Sequence, residues 1–177
     1  MRQTIRNVSP MSNEGRNAYV IEHLTDALLT LLRDHSINDV SISELCECAG
    51  VGRASFYRNF ENKEDIVRLY INRLFCEWAD AYEQGDDKPL SALIQSIFAH
   101  FERHRDFYGL LNERRLIYLL KDVIIGICGP KPEQSKDDAY AKAFVAYTLY
   151  GWVEVWFQRG MKESSEEMAG LFKMQGL

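Results

Sequence analysis

Residues 41–66 read SISELCECAGVGRASFYRNFENKEDI, and the order of capping, apolar and glycine residues in this stretch fixes two short helices joined by a tight turn. Ser41-Ile42-Ser43-Glu44 is a capping box. The Ser41 hydroxyl is placed to accept from the Glu44 amide while the Glu44 carboxylate reaches back. Leu45 and Ala49 face inward on the helix this box opens. Gly50 ends that helix, because glycine adopts the left-handed conformation without a Cβ penalty. Val51 packs under the turn, and Gly52 or its neighbour caps a second short helix over 53–60. Asn62 is an N-cap for a third helix, with Asp65 at its third position.

Working outward, the third helix carries Ile66, Leu69, Tyr70, Leu74 and Phe75 and is expected to run to about 84. On the other side, Ile21, Leu24, Leu28, Leu31 and Leu32 recur at three- and four-residue steps, the period of an amphipathic helix. That helix starts near Arg16 and ends near 34–36, and a connector over 37–40 supplies Ile37 and Val40 as apolar anchors. Residues 1–15 are polar, carry Arg2 and Arg6, show no period and read as a flexible arm. Gly85-Asp86-Asp87-Lys88-Pro89 breaks the chain, with Pro89 suited to the first turn of a new helix. Leu90, Leu93, Ile94, Ile97, Phe98 and Phe101 then form an apolar stripe. Short helices are expected over 105–111 and 114–127, a loop at Gly129-Pro130-Lys131-Pro132, and an aromatic helix over 137–159 ending at Gly160. A second capping box, Ser164-Ser165-Glu166-Glu167, opens a last helix to about 173. No strand pattern competes and no repeat is present, so the expected fold class is all-α.

Composition bounds the function. The chain has 177 residues, 46% hydrophobic and 27% charged, which is ordinary globular material. No apolar run approaches the ~20 residues that cross a bilayer, and no apolar signal segment opens the chain. A soluble cytoplasmic protein with no membrane partner is therefore expected. Cys46 and Cys48 lie two apart and Cys76 and Cys128 stand alone, a pattern of free thiols in a reducing compartment. His100 and His104 lie one helical turn apart without a third ligand, so no metal is expected. There is no phosphate-binding glycine loop, no Ser-His-Asp set and no paired carboxylates, so neither catalysis nor a cofactor is expected. The net charge is −5, and the first 70 residues hold eight basic against ten acidic residues. A nucleic-acid partner would need a local basic patch rather than a basic total.

The pattern Ala49-Gly50-Val51, Ser55, Phe56-Tyr57, Phe60 and Asn62-Lys63-Glu64 resembles the DNA-binding domain of the TetR family. The likeness spans about 45 residues with the first helix included, and order and spacing together make it specific. It departs from the family at Gly52, where Ser or Thr is common, and at Asn59, where His is common. The resemblance implies an N-terminal three-helix helix-turn-helix domain over 16–68 and a C-terminal helical ligand-binding and dimerisation domain over 69–177. It also implies a regulator, more often a repressor, that binds double-stranded operator DNA as a homodimer and responds to a small-molecule effector.

The chemistry of the expected recognition helix agrees. An arginine at its start, Arg53, can hold guanine O6 and N7 together. Ala54 and Ser55 are small enough for close approach, Tyr57 faces out toward phosphate, and Asn59 can donate to phosphate without charge. Lys63 at the next helix N-terminus adds charge beside free amides, while Ser41 and Ser43 open the helix that crosses the backbone. Trp78, Tyr82, Phe98, Phe101, Tyr108 and Tyr118 are candidate effector contacts. Tyr147, Tyr150, Gly151, Glu154 and Trp156 are candidate dimer contacts, because aromatic and small residues mark interface cores. The competing reading is a helical dimeric binding protein whose helix-turn-helix only packs, and the acidic balance of the first 70 residues is its support.

Overall fold

The computed structural model describes residues 13–83 and 90–175, and these form helices without strands. The chain divides into two compact units, 1–70 and 71–177. The first is built from α1 (Asn13–Leu31), α2 (Ile42–Cys48), α3 (Arg53–Asn59) and the opening turns of α4 (Lys63–Glu83). The rest of α4 belongs to the second unit, with α5 (Leu90–Arg103), α6 (Arg105–Glu113), α7 (Tyr118–Cys128), α8 (Lys136–Gln158) and α9 (Ser165–Met174).

In the first unit α1 contacts both α2 and α3. Leu24, Leu28 and Leu32, which share one face of the α1 segment, are fully buried with Leu45, Phe56 and Ile66. Each such side chain contributes about 1.5–3 kcal/mol relative to exposure. α2 and α3, seven residues each, hold only through that shared core, since isolated helices under ~12 residues are marginal in water. α1 begins at Asn13, three residues before the expected start at Arg16, and stops at Leu31. The expected arm over 1–15 otherwise lies outside the described residues, as does the Gly85–Pro89 break.

In the second unit α5 packs along α9 and α7 along α8. Phe98, Phe101, Tyr108, Trp156 and Phe157 form an aromatic core in which ring centroids lie 4.8–6.2 Å apart, mostly at the steep angles that the ring quadrupole favours. The expected helix boundary near 114 is displaced. α6 runs on to Glu113, and α7 starts only at Tyr118. Between them Arg115 takes φ 59°, with Leu116 N–H donating to Leu111 O at 2.7 Å and Arg115 N–H to Asn112 O at 3.1 Å. That is a Schellman ending on a non-glycine residue.

Candidate nucleic-acid interface

Both short helices are capped as their sequences dictate. The Ser41 hydroxyl accepts from the Glu44 amide at 3.1 Å, and Glu44 Oε2 accepts from the Ser41 amide at 3.3 Å. At the other end of α2, Gly50 has φ 65°, and Val51 N–H donates to Cys46 O at 3.0 Å. α3 starts on Gly52, which offers no side-chain cap. Asn59 Nδ2 donates back to Ser55 O at 2.8 Å, which closes the last turn from within.

The faces of α3 separate cleanly. Phe56 and Phe60 are buried, whereas Arg53, Ala54, Tyr57 and Arg58 are exposed and Ser55 and Asn59 are half-buried. The Tyr57 ring stands edge-on to Phe56 with centroids 5.2 Å apart, which leaves the phenol at the surface. Beside this face runs a groove of about 830 Å³. It is lined by Arg16, Asn17, Tyr19 and Val20 of α1, by the Gly50–Gly52 turn, and by Ser55, Arg58 and Asn59 of α3. Two guanidinium-bearing residues thus border one concave surface in a unit whose charge balance is acidic. Arg16 and Arg58 are 42 positions apart in the chain, and their convergence was not among the sequence expectations.

Ser41 and Ser43 are exposed at the start of α2. Lys63 is placed differently from expectation. Its ammonium donates to the carbonyl oxygens of Ile37 and Val40. The amides around it are also engaged: Asp65 Oδ2 accepts from Glu61 and Asn62 N–H at 3.1 and 3.2 Å, and Asn62 Oδ1 accepts from Asp65 N–H at 3.0 Å.

Among the expected effector contacts, Phe98, Phe101 and Tyr108 are fully buried against one another. Trp78 and Tyr82 are half-buried and stacked at 5.6 Å, with Trp78 Nε1 donating to Ser96 Oγ at 2.8 Å. Tyr118 is half-exposed at the start of α7. Among the expected dimer contacts, Trp156 is 1% exposed, and its indole N–H donates to Glu163 O at 2.9 Å. It is a core residue of its own unit. Tyr147 is exposed, Tyr150, Gly151 and Glu154 are half-buried, and the Tyr150 hydroxyl lies 3.4 Å from Glu154 Oε1. Phe144, Val145 and Val155 on α8, and Leu171 on α9, are further exposed apolar residues.

His100 is buried, with Nε2 3.0 Å from the Tyr108 hydroxyl. Burial, with the charges of His104 and Arg103, pushes its pKa down to about 4. No group of three metal-ligating side chains occurs among the described residues, and the four cysteines are free. No helix among the described residues is long and apolar enough to cross a membrane.

A helix-turn-helix unit followed by a separate helical unit defines the class: a two-unit, all-helical protein. Residues 24–69 match the model of the bacterial regulatory proteins of the tetR family, and residues 89–174 match that of a transcriptional regulator C-terminal region. The chain belongs to the tetR family. The uncharacterised HTH-type transcriptional regulator YxbF of Bacillus subtilis is 31% identical over 98 residues, 50% of this chain and 25% of that protein. The chain therefore spans about a quarter of the length of this curated relative. Among solved structures, Lin0861 from Listeria innocua superposes with a TM-score of 0.71 at 18% identity, over 95% of this chain and 94% of that one. A TetR transcriptional regulator from Streptococcus agalactiae gives 0.61 at 17% identity, over 94% and 98%. At these identities the likeness is one of fold.

Proposed function

We propose that the chain is a sequence-specific DNA-binding regulator of transcription, acting in the cytoplasm as a homodimer on a palindromic operator and released by a small-molecule effector, as a repressor. It binds rather than catalyses. The observation that carries this reading is the outward face of α3, where Arg53, Ala54, Tyr57 and Arg58 are exposed while Phe56 and Phe60 anchor the helix from behind. Arg53, in the first turn, reads a guanine edge. Tyr57, Ser55 and Asn59 meet phosphate, and Ser41 and Ser43 do so from α2. Arg16 and Arg58 hold the backbone on either side of the groove. Such contacts position the protein, and the base contact specifies the site.

The second unit supplies the partner surface and the effector site. α8 and α9 border an apolar groove of about 390 Å³ that includes Trp152, Val155, Met168 and Leu171. A second copy of this chain is its occupant in the proposal, because one helix-turn-helix of this size needs a twofold mate to read two half-sites. For the effector, Trp78, Tyr82 and Tyr118 are the reachable contacts of the expected set, whereas Phe98, Phe101 and Tyr108 lie in the core.

Selection of bound sequences from a random DNA library tests the reading. The expected winner is palindromic, and Arg53→Ala relaxes discrimination at one base pair of each half-site by ~1–3 kcal/mol. Failure of folded, effector-free protein to enrich any sequence would instead favour the packing-only reading, which the acidic balance of the first 70 residues supports.

A further inference from the structure

We propose that Lys63 is a positioning residue: its ammonium ties the start of α4 to the connector that ends on the N-cap of α2, and so seats the first helix of the helix-turn-helix without touching DNA. The inference rests on the DNA-binding reading for its functional consequence, although the tie itself does not depend on it.

The geometry is specific. The Lys63 ammonium donates to two carbonyl oxygens, those of Ile37 and Val40, 26 and 23 residues earlier in the chain. Ile37 and Val40 are 5% and 1% exposed, so their side chains pin the connector from inside while their carbonyls meet the ammonium. Neither carbonyl lies within a helix, and carbonyls of buried residues need a donor from elsewhere. Charge-assisted bonds are the strong kind. The Val40 carbonyl belongs to the peptide bond that leads into Ser41, and Ser41 is the N-cap of α2. A displacement at Lys63 therefore passes to the cap through one peptide unit.

Two further facts favour the tie over a phosphate contact. A cation in the first turn of a helix opposes the helix dipole, so Lys63 gains nothing from α4 itself. Three of the amides there, those of Glu61, Asn62 and Asp65, already donate to the Asp65 and Asn62 side chains.

The test is Lys63→Met in the full chain, which keeps the apolar stem and removes the donors. Without DNA, amide exchange at Glu44 and Leu45, which donate to the Ser41 side chain and carbonyl, should quicken by about tenfold or more, while Glu167 and Met168 of α9 keep wild-type rates. Unchanged exchange at Glu44 and Leu45 overturns the tie, whatever DNA does. On the selected operator, affinity should fall more than on random DNA, with the slope of log affinity against log salt unchanged. A slope shallower by about 0.9 means that Lys63 neutralises a phosphate, and the proposal is then wrong. If no operator is found, the DNA-binding reading fails and the exchange result still decides the tie. Should the variant not fold, ¹⁵N spectra of wild-type protein decide instead. The Lys63 ammonium protons should exchange more slowly with water than those of the exposed Lys136 and Lys162, and equal rates would refute the tie.

Discussion

His100 and Tyr108 share a buried hydrogen bond, Nε2 to hydroxyl at 3.0 Å, between α5 and α6. Among the described residues no carboxylate contributes to the pKa shift of the imidazole. Phe75, Trp78, Phe101, His104 and Tyr108 surround it, and it stays neutral down to about pH 4. An unfolded chain protonates the same residue at 6.5. The folded pKa is thus depressed, so the stability it contributes is complete above 6.5 and is lost as pH falls from there to about 4. The loss amounts to about 3 kcal/mol. His104, also shifted down, acts with the same sign. Urea midpoints at pH 7, 5.5 and 4 should decline steeply for the wild type and less for His100→Gln, which can still accept from Tyr108. Parallel declines in the two proteins would mean that His100 titrates normally.

How much of this was legible follows from how local each signal is. The α2 and α8 endings were readable because glycine stands at the left-handed position, Gly50 at φ 65° and Gly160 at φ 79°. The α6 ending uses the same hydrogen bonds with Arg115 in that position, and nothing in the residue type marks it. Both capping boxes formed as read. The partners of Lys63 lie 23 and 26 residues away, beyond any spacing rule. On α8 the difficulty was different. Aromatics occur all round the helix, so periodicity did not tell the core face of Val153, Trp156 and Phe157 from the exposed face of Phe144, Tyr147 and Val155. Tertiary packing makes that choice.

Arg16 and Arg58 border the groove beside α3, and both are exposed. If the groove follows a DNA backbone, each guanidinium displaces condensed counterions. Arg16→Ala and Arg58→Ala should each lower affinity for every DNA sequence alike and flatten the log–log salt slope by about 0.9. Fluorescence anisotropy from 50 to 300 mM salt reads both quantities. A loss of affinity at one base pair only, with the slope kept, would move that residue from the backbone to a base edge.

Two glycines are needed for different reasons, and their alanine variants separate them. At Gly50 an added Cβ meets nothing within 4 Å, but φ is +65°, so Gly50→Ala costs about 1–2 kcal/mol through backbone conformation alone. At Gly129 φ is −77°, which any residue adopts, yet a Cβ would sit 2.4 Å from Ile125 O and 2.9 Å from Ile125 Cγ2. Gly129→Ala therefore forces the end of α7 to shift, at a cost of about 1–3 kcal/mol. Gly50→Asn should recover part of the first loss, because Asn tolerates the left-handed region. The same change at Gly129 should recover nothing. Chemical denaturation of the four variants checks the pattern.

The α8–α9 face gives the last expectation. Val155 and Leu171 are 52% and 40% exposed and border the same apolar groove. Charges placed there disturb a single chain little, because both side chains already reach solvent. In a dimer they would be desolvated without partners, which interface cores do not tolerate. A stable interface buries ~1,200–2,000 Å² in total, so one charged substitution near its centre is enough to shift the equilibrium. Val155→Glu with Leu171→Asp should leave helix content unchanged while sedimentation equilibrium reports half the wild-type mass. Affinity for a two-half-site operator should drop steeply, whereas affinity for a single half-site should hold, because only the linkage between recognition helices is lost. A variant that keeps its mass would place the twofold contact elsewhere on the chain. A wild-type protein that is already monomeric would remove the argument for a palindrome.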